Sequence, residues 1–164
     1  MPVAEKLLSL VPPVRGVRRS RADKLHLTLH FLSDAPSTLI ADLQLNGLPG
    51  RFAVTPGRLI LLPESGPVRV VAASMASDLS PIRTLHALLS AELSRLGLPV
   101  EQRPHLPHIT LARCDPPLPQ QVRGQKPMTP REDVTFEVSQ LHLIESRATD
   151  GGLEYVTRRT WTLA

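Results

Sequence analysis

Two short stretches of the sequence carry the same set of chemically useful side chains. His26-Leu27-Thr28-Leu29 and His108-Ile109-Thr110-Leu111 both have the pattern His-x-Thr-Leu. Side chains of a β-strand alternate between its two faces, so each histidine would share a face with the threonine that follows it. The leucine or isoleucine between them would point into the core. Two such strands side by side would place two imidazoles and two hydroxyls around one cleft.

That set of groups suits phosphodiester hydrolysis. Histidine titrates close to physiological pH, so one neutral imidazole can accept a proton from water while a protonated one donates to the leaving oxygen. Threonine hydroxyls can donate hydrogen bonds to phosphate oxygens, where negative charge builds up. No metal is needed in this scheme, and the spacing alone does not assign the acid and the base. A duplication retained for structural reasons is the alternative interpretation.

The stretches His26–Leu32 and Pro107–Arg113 resemble the two signature motifs of the 2H phosphoesterases. The resemblance is closer to the bacterial and archaeal RNA 2',3'-cyclic phosphodiesterases, historically called 2'-5' RNA ligases. Leu143–Arg147, followed by Gly151-Gly152 and Tyr155, is similar to the C-terminal hairpin of that branch. The similarity covers roughly residues 14–164.

The resemblance implies a bilobal α+β fold with pseudo-twofold symmetry, in which antiparallel sheets surround a central cleft and the helices lie outside. It implies an RNA 2',3'-cyclic 3'-phosphodiesterase that opens a cyclic phosphate at an RNA end and leaves a 2'-phosphate. His26 would be the proton donor and His108 the proton acceptor. Thr28 and Thr110 would bind the substrate phosphate. No metal or cofactor is implied, and RNA is the expected partner of a monomeric enzyme.

Two further residues belong to the motifs. Arg113 ends the second motif and would also bind phosphate, but strict alternation puts it on the face opposite His108. A strand that ends or bulges at Ala112 would resolve this conflict. His30 follows Thr28 on the same face, where it would either line the cleft or serve as a structural histidine.

Alternation, apolar periodicity and turn residues predict an α+β chain with antiparallel sheets rather than a doubly wound parallel sheet. A helix from Pro81 to Leu96 is the clearest element, with Ser80 as N-cap and Gly97 as C-cap. A proline-rich loop is expected over Asp115–Pro130. The other expected elements are a helix over Val3–Leu10, a helical connection over Ser37–Leu45 and strands over Val14–Arg19, Leu25–Leu32, Arg51–Thr55, Arg58–Pro63, Val68–Ser74, Val100–Arg103, His108–Cys114, Val134–Val138, Gln140–Ser146 and Glu154–Leu163, the last two joined at Asp150-Gly151-Gly152.

The composition is that of a globular protein. The chain has 164 residues, enough to bury about 70% of its unfolded surface without a metal or disulfide. Its single cysteine, Cys114, excludes an internal disulfide and is interpreted as a buried small side chain. No apolar run is long enough for a membrane span and no signal peptide is recognisable, so the expected location is cytoplasmic.

The net charge of +4 comes mainly from arginine, which binds phosphate oxygens as a bidentate fork. A solvated surface and a groove for a nucleic-acid backbone both account for the densest basic stretch. Its members are Arg15, Arg18, Arg19, Arg21 and Lys24.

Residues 1–164 are expected to form one bilobal domain. The related family usually opens with an apolar strand, whereas this chain starts at what resembles the helix after it, so the first strand of the family is expected to be missing. Two other functions stay open. One is an enzyme for 2'-5' linkages, including their ligation, or for small cyclic nucleotides. The other is a non-catalytic nucleotide- or RNA-binding module on the same fold.

Overall fold

Antiparallel sheets made of short strands form the framework of the protein. The computed structural model describes residues 2–32, 35–124, 134–150 and 152–164. Within these residues the strands are β1 (Val17–Arg19), β2 (Phe52–Val54), β3 (Pro56–Leu62), β4 (Val68–Met75), β5 (His108–Leu118), β6 (Phe136–Val138), β7 (Gln140–Thr149) and β8 (Gly152–Thr162).

The second His-x-Thr motif lies at the start of an interior strand. In the described residues the largest sheet has four strands in the order β1-β5-β4-β3, and all of its neighbours pair antiparallel. Strands β2 and β6 form one further antiparallel pair, and β7 and β8 form another. The motif residues of β5 pair with β4, and β1 pairs with β5 only from Ala112 to Cys114, just beyond the motif.

Three α-helices accompany the sheets in the part of the chain that is described. They are α1 (Val3–Ser9), α2 (Ser37–Ala41) and α3 (Ser80–Arg95), and short 3₁₀ turns cover Ala22–Lys24 and Gln120–Gly124. Leu7 of α1 and Val11 after it are 1% and 0% exposed and pack in one cluster with β4 and β5 side chains. This cluster fills the core face of the four-stranded sheet.

Helix α3 begins one residue earlier than predicted, because Ser80 is its first residue and Leu79 the N-cap, and it ends near the predicted glycine. Gly97 has a φ of +71°, the left-handed conformation that favours glycine at this position. The Gly97 N–H donates to the Ser94 carbonyl at 3.0 Å, and the Leu98 N–H donates to the Leu93 carbonyl at 2.9 Å. These bonds satisfy two carbonyls of the last turn, and Leu93 and Leu98 are both buried.

A second apolar cluster fixes α3 against the first motif. Leu89 and Leu93 of α3 are buried with Leu43, and Leu29 and Trp161 pack against them from the first motif and from β8. Helix α3 therefore lies directly beside the segment that carries His26 and Thr28.

The predicted α+β class with antiparallel sheets is confirmed, but several predicted elements differ; the first motif is taken up with the site below, and two others lie elsewhere in the chain. Residues 100–103 form no strand, because Glu101 accepts hydrogen bonds from both the backbone and the side chain of Arg103 and so closes a local turn. Regular structure begins the segment expected to be a loop over Asp115–Pro130, since β5 continues to Leu118 and a 3₁₀ turn follows. Residues 125–130 of that loop lie outside the described residues, as does Gly151 of the predicted hairpin turn.

Candidate active site

The second motif has the alternation that the sequence predicts. Ile109 and Leu111 are 4% and 0% exposed in the core, and His108 and Thr110 between them are only partly buried. The Nδ1–H of His108 donates to the Leu106 carbonyl at 2.8 Å. Since a carbonyl only accepts, this bond fixes the tautomer and leaves Nε2 as the nitrogen that takes up or releases a proton.

The first motif is extended but does not form the predicted strand over Leu25–Leu32. A 3₁₀ turn runs to Lys24, and the segment then makes a single antiparallel bridge, between Leu27 and Ile109. Next to this bridge, the Thr28 carbonyl accepts a hydrogen bond from the Nε2–H of His105 at 2.9 Å.

The Leu27–Ile109 bridge brings the two motifs together. In an antiparallel register it sets His26 opposite Thr110 and Thr28 opposite His108. Directly opposite residues have Cβ atoms about 5 Å apart, and diagonal ones are about 7–8 Å apart. This register places the two imidazoles on one diagonal of a four-residue group and the two hydroxyls on the other.

His26 is anchored in the same way as His108. Its Nδ1–H donates to the Lys24 carbonyl, two residues earlier, at 2.8 Å, just as His108 bonds to Leu106. Nε2 of each ring is therefore the titrating nitrogen. A neutral ring is a base at Nε2 and a protonated ring is an acid there, so this anchoring gives both histidines both capabilities.

A bulge in β5 settles the orientation of Arg113. Val71 of β4 pairs with Ala112, but the next residue, Ala72, pairs with Thr110, so Leu111 is an extra residue in β5. Leu111 and Ala112 are both 0% exposed in the same core cluster. The alternation is reset, and Arg113 is exposed on the face of Thr110 rather than opposite it. The expectation from strict alternation was wrong, and the bulge considered as its remedy is present.

The basic stretch divides into paired and unpaired members. Arg19 donates to the Val11 carbonyl, Arg21 forms an ion pair with Asp23 at 2.8 Å, and Lys24 donates to the Leu153 carbonyl. Arg18 instead lies directly across from Arg113 in the β1–β5 register, and both are exposed. Two cations side by side on adjacent strands repel each other, and an anion bound between them would relieve that repulsion.

The C-terminal hairpin also reaches the first motif. The Tyr155 ring of β8 meets the His26 ring edge-on, with ring centroids 5.3 Å apart and an interplanar angle of 90°. The Lys24 ammonium lies 5.7 Å from the Tyr155 ring centroid. The sequence indicated Tyr155 through the resemblance of the hairpin and as a candidate to stack on a base, and its contact with His26 is visible only in the fold.

The remaining histidines and the cysteine are placed as follows. The His30 ring turns onto α3, where it stacks on His86 and bonds through Nε2 to the Ser90 hydroxyl at 2.8 Å. His142 is exposed on β7 beside Thr160. Cys114 is buried, as predicted, and burial raises the pKa of its thiol. A thiol held neutral is a poor nucleophile.

Metal-ligand and membrane signals are absent from the described part of the chain. Residues 2–32, 35–124, 134–150 and 152–164 include no group of three or more His, Cys, Asp or Glu arranged to hold a metal ion. No helix in these ranges has the length and hydropathy to cross a membrane.

Comparisons with known proteins agree with the geometry. The sequence profile of the 2'-5' RNA ligase superfamily matches residues 4–150. No curated protein gives a significant sequence match. Similar solved structures include Escherichia coli LigT complexed with 3'-AMP, at 24% identity and a TM-score of 0.82, covering 98% of this chain and 91% of LigT. They also include the protein TT0787 of Thermus thermophilus, at 24% identity and a TM-score of 0.80, covering 98% of this chain and 89% of that one.

The superfamily match spans most of the chain and contains both His-x-Thr motifs. The solved structures add the same fold over nearly the whole length. The chain therefore belongs to the 2'-5' RNA ligase superfamily of 2H phosphoesterases.

Proposed function

We propose that this protein hydrolyses 2',3'-cyclic phosphate ends of RNA to 2'-phosphate ends by acid–base catalysis with His26 and His108. The observation that carries the proposal is the Leu27–Ile109 bridge, which joins the two motifs with both imidazoles anchored through Nδ1. LigT, which shares the fold, has been solved with a nucleoside monophosphate, 3'-AMP. A cyclic nucleotide end has the same ribose and phosphate groups.

In the proposed reaction, water and the two histidines account for every proton that moves and every bond that forms or breaks. His108, neutral, takes a proton from water at Nε2 while the water oxygen attacks phosphorus. The bond from phosphorus to the 3' oxygen breaks, and His26, protonated, gives its Nε2 proton to that oxygen. The product has gained one water as a 2'-phosphate and a 3'-hydroxyl, and exchange with solvent resets both rings. Each proton transfer contributes roughly 10²- to 10⁴-fold to the rate.

The threonines and Arg113 supply the electrostatic part of the proposal. Thr28 and Thr110 donate to the non-bridging phosphate oxygens, whose charge grows as water attacks. Arg113, brought to the same face by the β5 bulge, adds a positive charge. Arg18, the cross-strand partner of Arg113, extends this positive surface, and in this proposal it binds a further phosphate of the RNA. A cyclic end on an oligonucleotide would therefore be preferred to a cyclic mononucleotide.

The experiment is a hydrolysis assay on an oligoribonucleotide with a 2',3'-cyclic phosphate end, in the presence of EDTA, read by mass spectrometry. The expected product has gained one water, and its phosphate resists an enzyme that cannot remove 2'-phosphates. His26→Ala and His108→Ala should abolish turnover, and His142→Ala, a surface histidine on β7, is the matched control. Tight binding of the oligonucleotide without any turnover would instead make the protein a binding module.

A further inference from the structure

Three histidines outside the catalytic pair form one continuous stack. The rings of His30 and His86 lie 4.2 Å apart at 15°, and those of His86 and His105 lie 4.4 Å apart at 10°. They come from three separate places: the first motif, helix α3 and the loop that leads into the second motif. The stack thus connects both motifs to α3.

Both ends of the stack are hydrogen-bonded. Ser90 donates its hydroxyl proton to the His86 carbonyl at 2.8 Å, so its oxygen accepts the Nε2–H of His30. At the other end, the Nε2–H of His105 donates to the Thr28 carbonyl at 2.9 Å. His105 therefore ties the loop of the second motif to the phosphate-binding threonine of the first.

The stacked arrangement favours uncharged rings. Parallel rings direct their nitrogens outward in separate planes, so the three do not converge on one point as metal ligands would. Protons on two neighbouring rings would place two cations face to face at about 4 Å, where they repel each other directly. Neutral imidazoles, by contrast, stack with favourable contact.

Few charges in the described residues could offset a proton on the stack. A cavity of about 390 Å³ borders His86 and His105, and its charged lining groups are Arg83 of α3 and Glu101 and Arg103 of the following loop. Glu101 is already bonded to Arg103 at 2.6 Å. On the other side, the partner of His30 is the neutral hydroxyl of Ser90. Among the described residues, the surroundings therefore carry no free negative charge for the stack.

We propose that the neutral stack His30–His86–His105 is a positioning element that holds Thr28 in place for catalysis and releases it when the stack is protonated below neutral pH. The role of Thr28 in this statement rests on the proposed function. The stack itself, and its sensitivity to protons, do not depend on the proposed function. His105 acts through Thr28 and is a positioning residue rather than a catalytic one.

The titration of the stack has a definite sign. Burial lowers the pKa of His30 and of His86; the His86 carbonyl offsets part of the lowering at His30, and the charges of neighbouring imidazoles lower the pKa of both rings further. The unfolded chain therefore binds more protons than the folded protein once the pH falls below the ordinary histidine pKa of about 6.5. The stability from the neutral stack is fully present above that pH and is lost as the pH falls through the lowered values.

The first arm of the test measures thermal unfolding at pH 7.5 and at pH 5 and needs no substrate. His86→Phe keeps a flat ring in the stack but cannot be charged, and His86→Gln is a smaller uncharged variant in case the phenyl ring is not accommodated. The fall in Tm between the two pH values should be smaller in either variant than in the wild type. His142→Phe, the matched surface control, should keep the wild-type fall. An equal fall in all of these proteins would overturn the proposal.

The second arm measures kcat/KM on the cyclic-phosphate oligonucleotide across the same pH range. His105→Phe keeps the ring and loses the donor to Thr28, so kcat/KM should drop roughly tenfold at pH 7.5, the usual worth of one hydrogen bond. His105→Gln retains an N–H donor and should recover most of that loss. It should also extend the activity to lower pH. No loss in His105→Phe, or no recovery in His105→Gln, would overturn the positioning role.

The two arms separate failure of this inference from failure of the proposed function. If wild-type protein shows no turnover, the proposed function fails, and the unfolding arm still decides whether the stack responds to protons. If turnover is normal and all variants follow the wild-type pH dependence, the proposed function stands and the stack has no positioning role.

Discussion

Substitution of Arg113 by glutamine should stabilise the free protein and impair catalysis at once. Arg113 and Arg18 are direct cross-strand partners and both are exposed. Neither takes part in an ion pair within the described residues. Like charges at directly opposed strand positions repel each other, and an anion bound between them would offset that repulsion.

The magnitude follows from the geometry. Two unit charges about 6 Å apart in water repel by about 0.7 kcal/mol, within the range of up to about 1 kcal/mol for like charges on opposed strand positions. For a chain of this size, each kcal/mol shifts Tm by about 2–4 °C. Arg113→Gln should therefore raise Tm by about 1–3 °C at low salt. It should also reduce kcat/KM roughly 10²-fold, as loss of one charge-stabilising donor does.

The assay combines thermal unfolding with turnover at two salt concentrations. At about 0.01 M salt the Debye length is about 30 Å, and at about 1 M it is about 3 Å, so the Tm gain should vanish at high salt. Arg95→Gln is the matched control, because Arg95 pairs with Glu92 at 2.7 Å on α3. It should lower Tm and leave kcat/KM unchanged. A lower Tm with normal turnover in Arg113→Gln would refute the reasoning.

Three further predictions concern the site and the acid stability of the fold. Thr28→Val and Thr110→Val should each lower kcat roughly 10²-fold or more through loss of one hydroxyl donor, with unchanged unfolding curves as the check on structure. The rate should be bell-shaped between about pH 5 and pH 9, because one histidine must be neutral and the other protonated; a monotonic rise would contradict this. The Arg95 side chain and the Gln44 N–H lower the pKa of Glu92 to about 2. Glu92 therefore adds stability above its ordinary pKa that is lost as the pH falls through about 2, and acid titration of Glu92→Gln should show a smaller loss.

Alternation along a strand was enough to predict much of the second motif. The pattern from His108 to Leu111 correctly predicted which side chains face the core, because β5 pairs regularly with β4 up to Thr110. Beyond that residue the bulge reverses the faces, and a bulge depends on how the neighbouring strand pairs. Arg113 could therefore be orientated only from the fold.

The first motif shows a different limit of sequence reasoning. Leu25–Leu32 alternates as a strand would, but a strand also needs a partner for its backbone groups. Here the His105 side chain takes the Thr28 carbonyl and the His30 ring turns onto α3. These are tertiary contacts between distant segments, so no local pattern could reveal them.

Helix α3 was predictable in extent but not in role. Its apolar spacing and Gly97 define where it runs and where it ends. The role of His86 is visible only in the fold, where the apolar cluster around Leu89 and Leu93 packs the helix beside the first motif. The histidine stack is a product of that docking.

The central claim is that two histidines act together on one phosphate, and a double-mutant cycle tests it most directly. His26→Asn and His108→Asn each keep a short amide that can donate to the carbonyl two residues earlier but lose the titrating Nε2. Single-turnover rates on the cyclic-phosphate oligonucleotide should fall roughly 10²- to 10⁴-fold in each variant. The double variant should be only slightly slower than the slower of the two single variants, because the effects of substituting groups that act as a unit are not additive. A wild-type rate in either single variant, or losses that multiply in the double variant, would contradict the account.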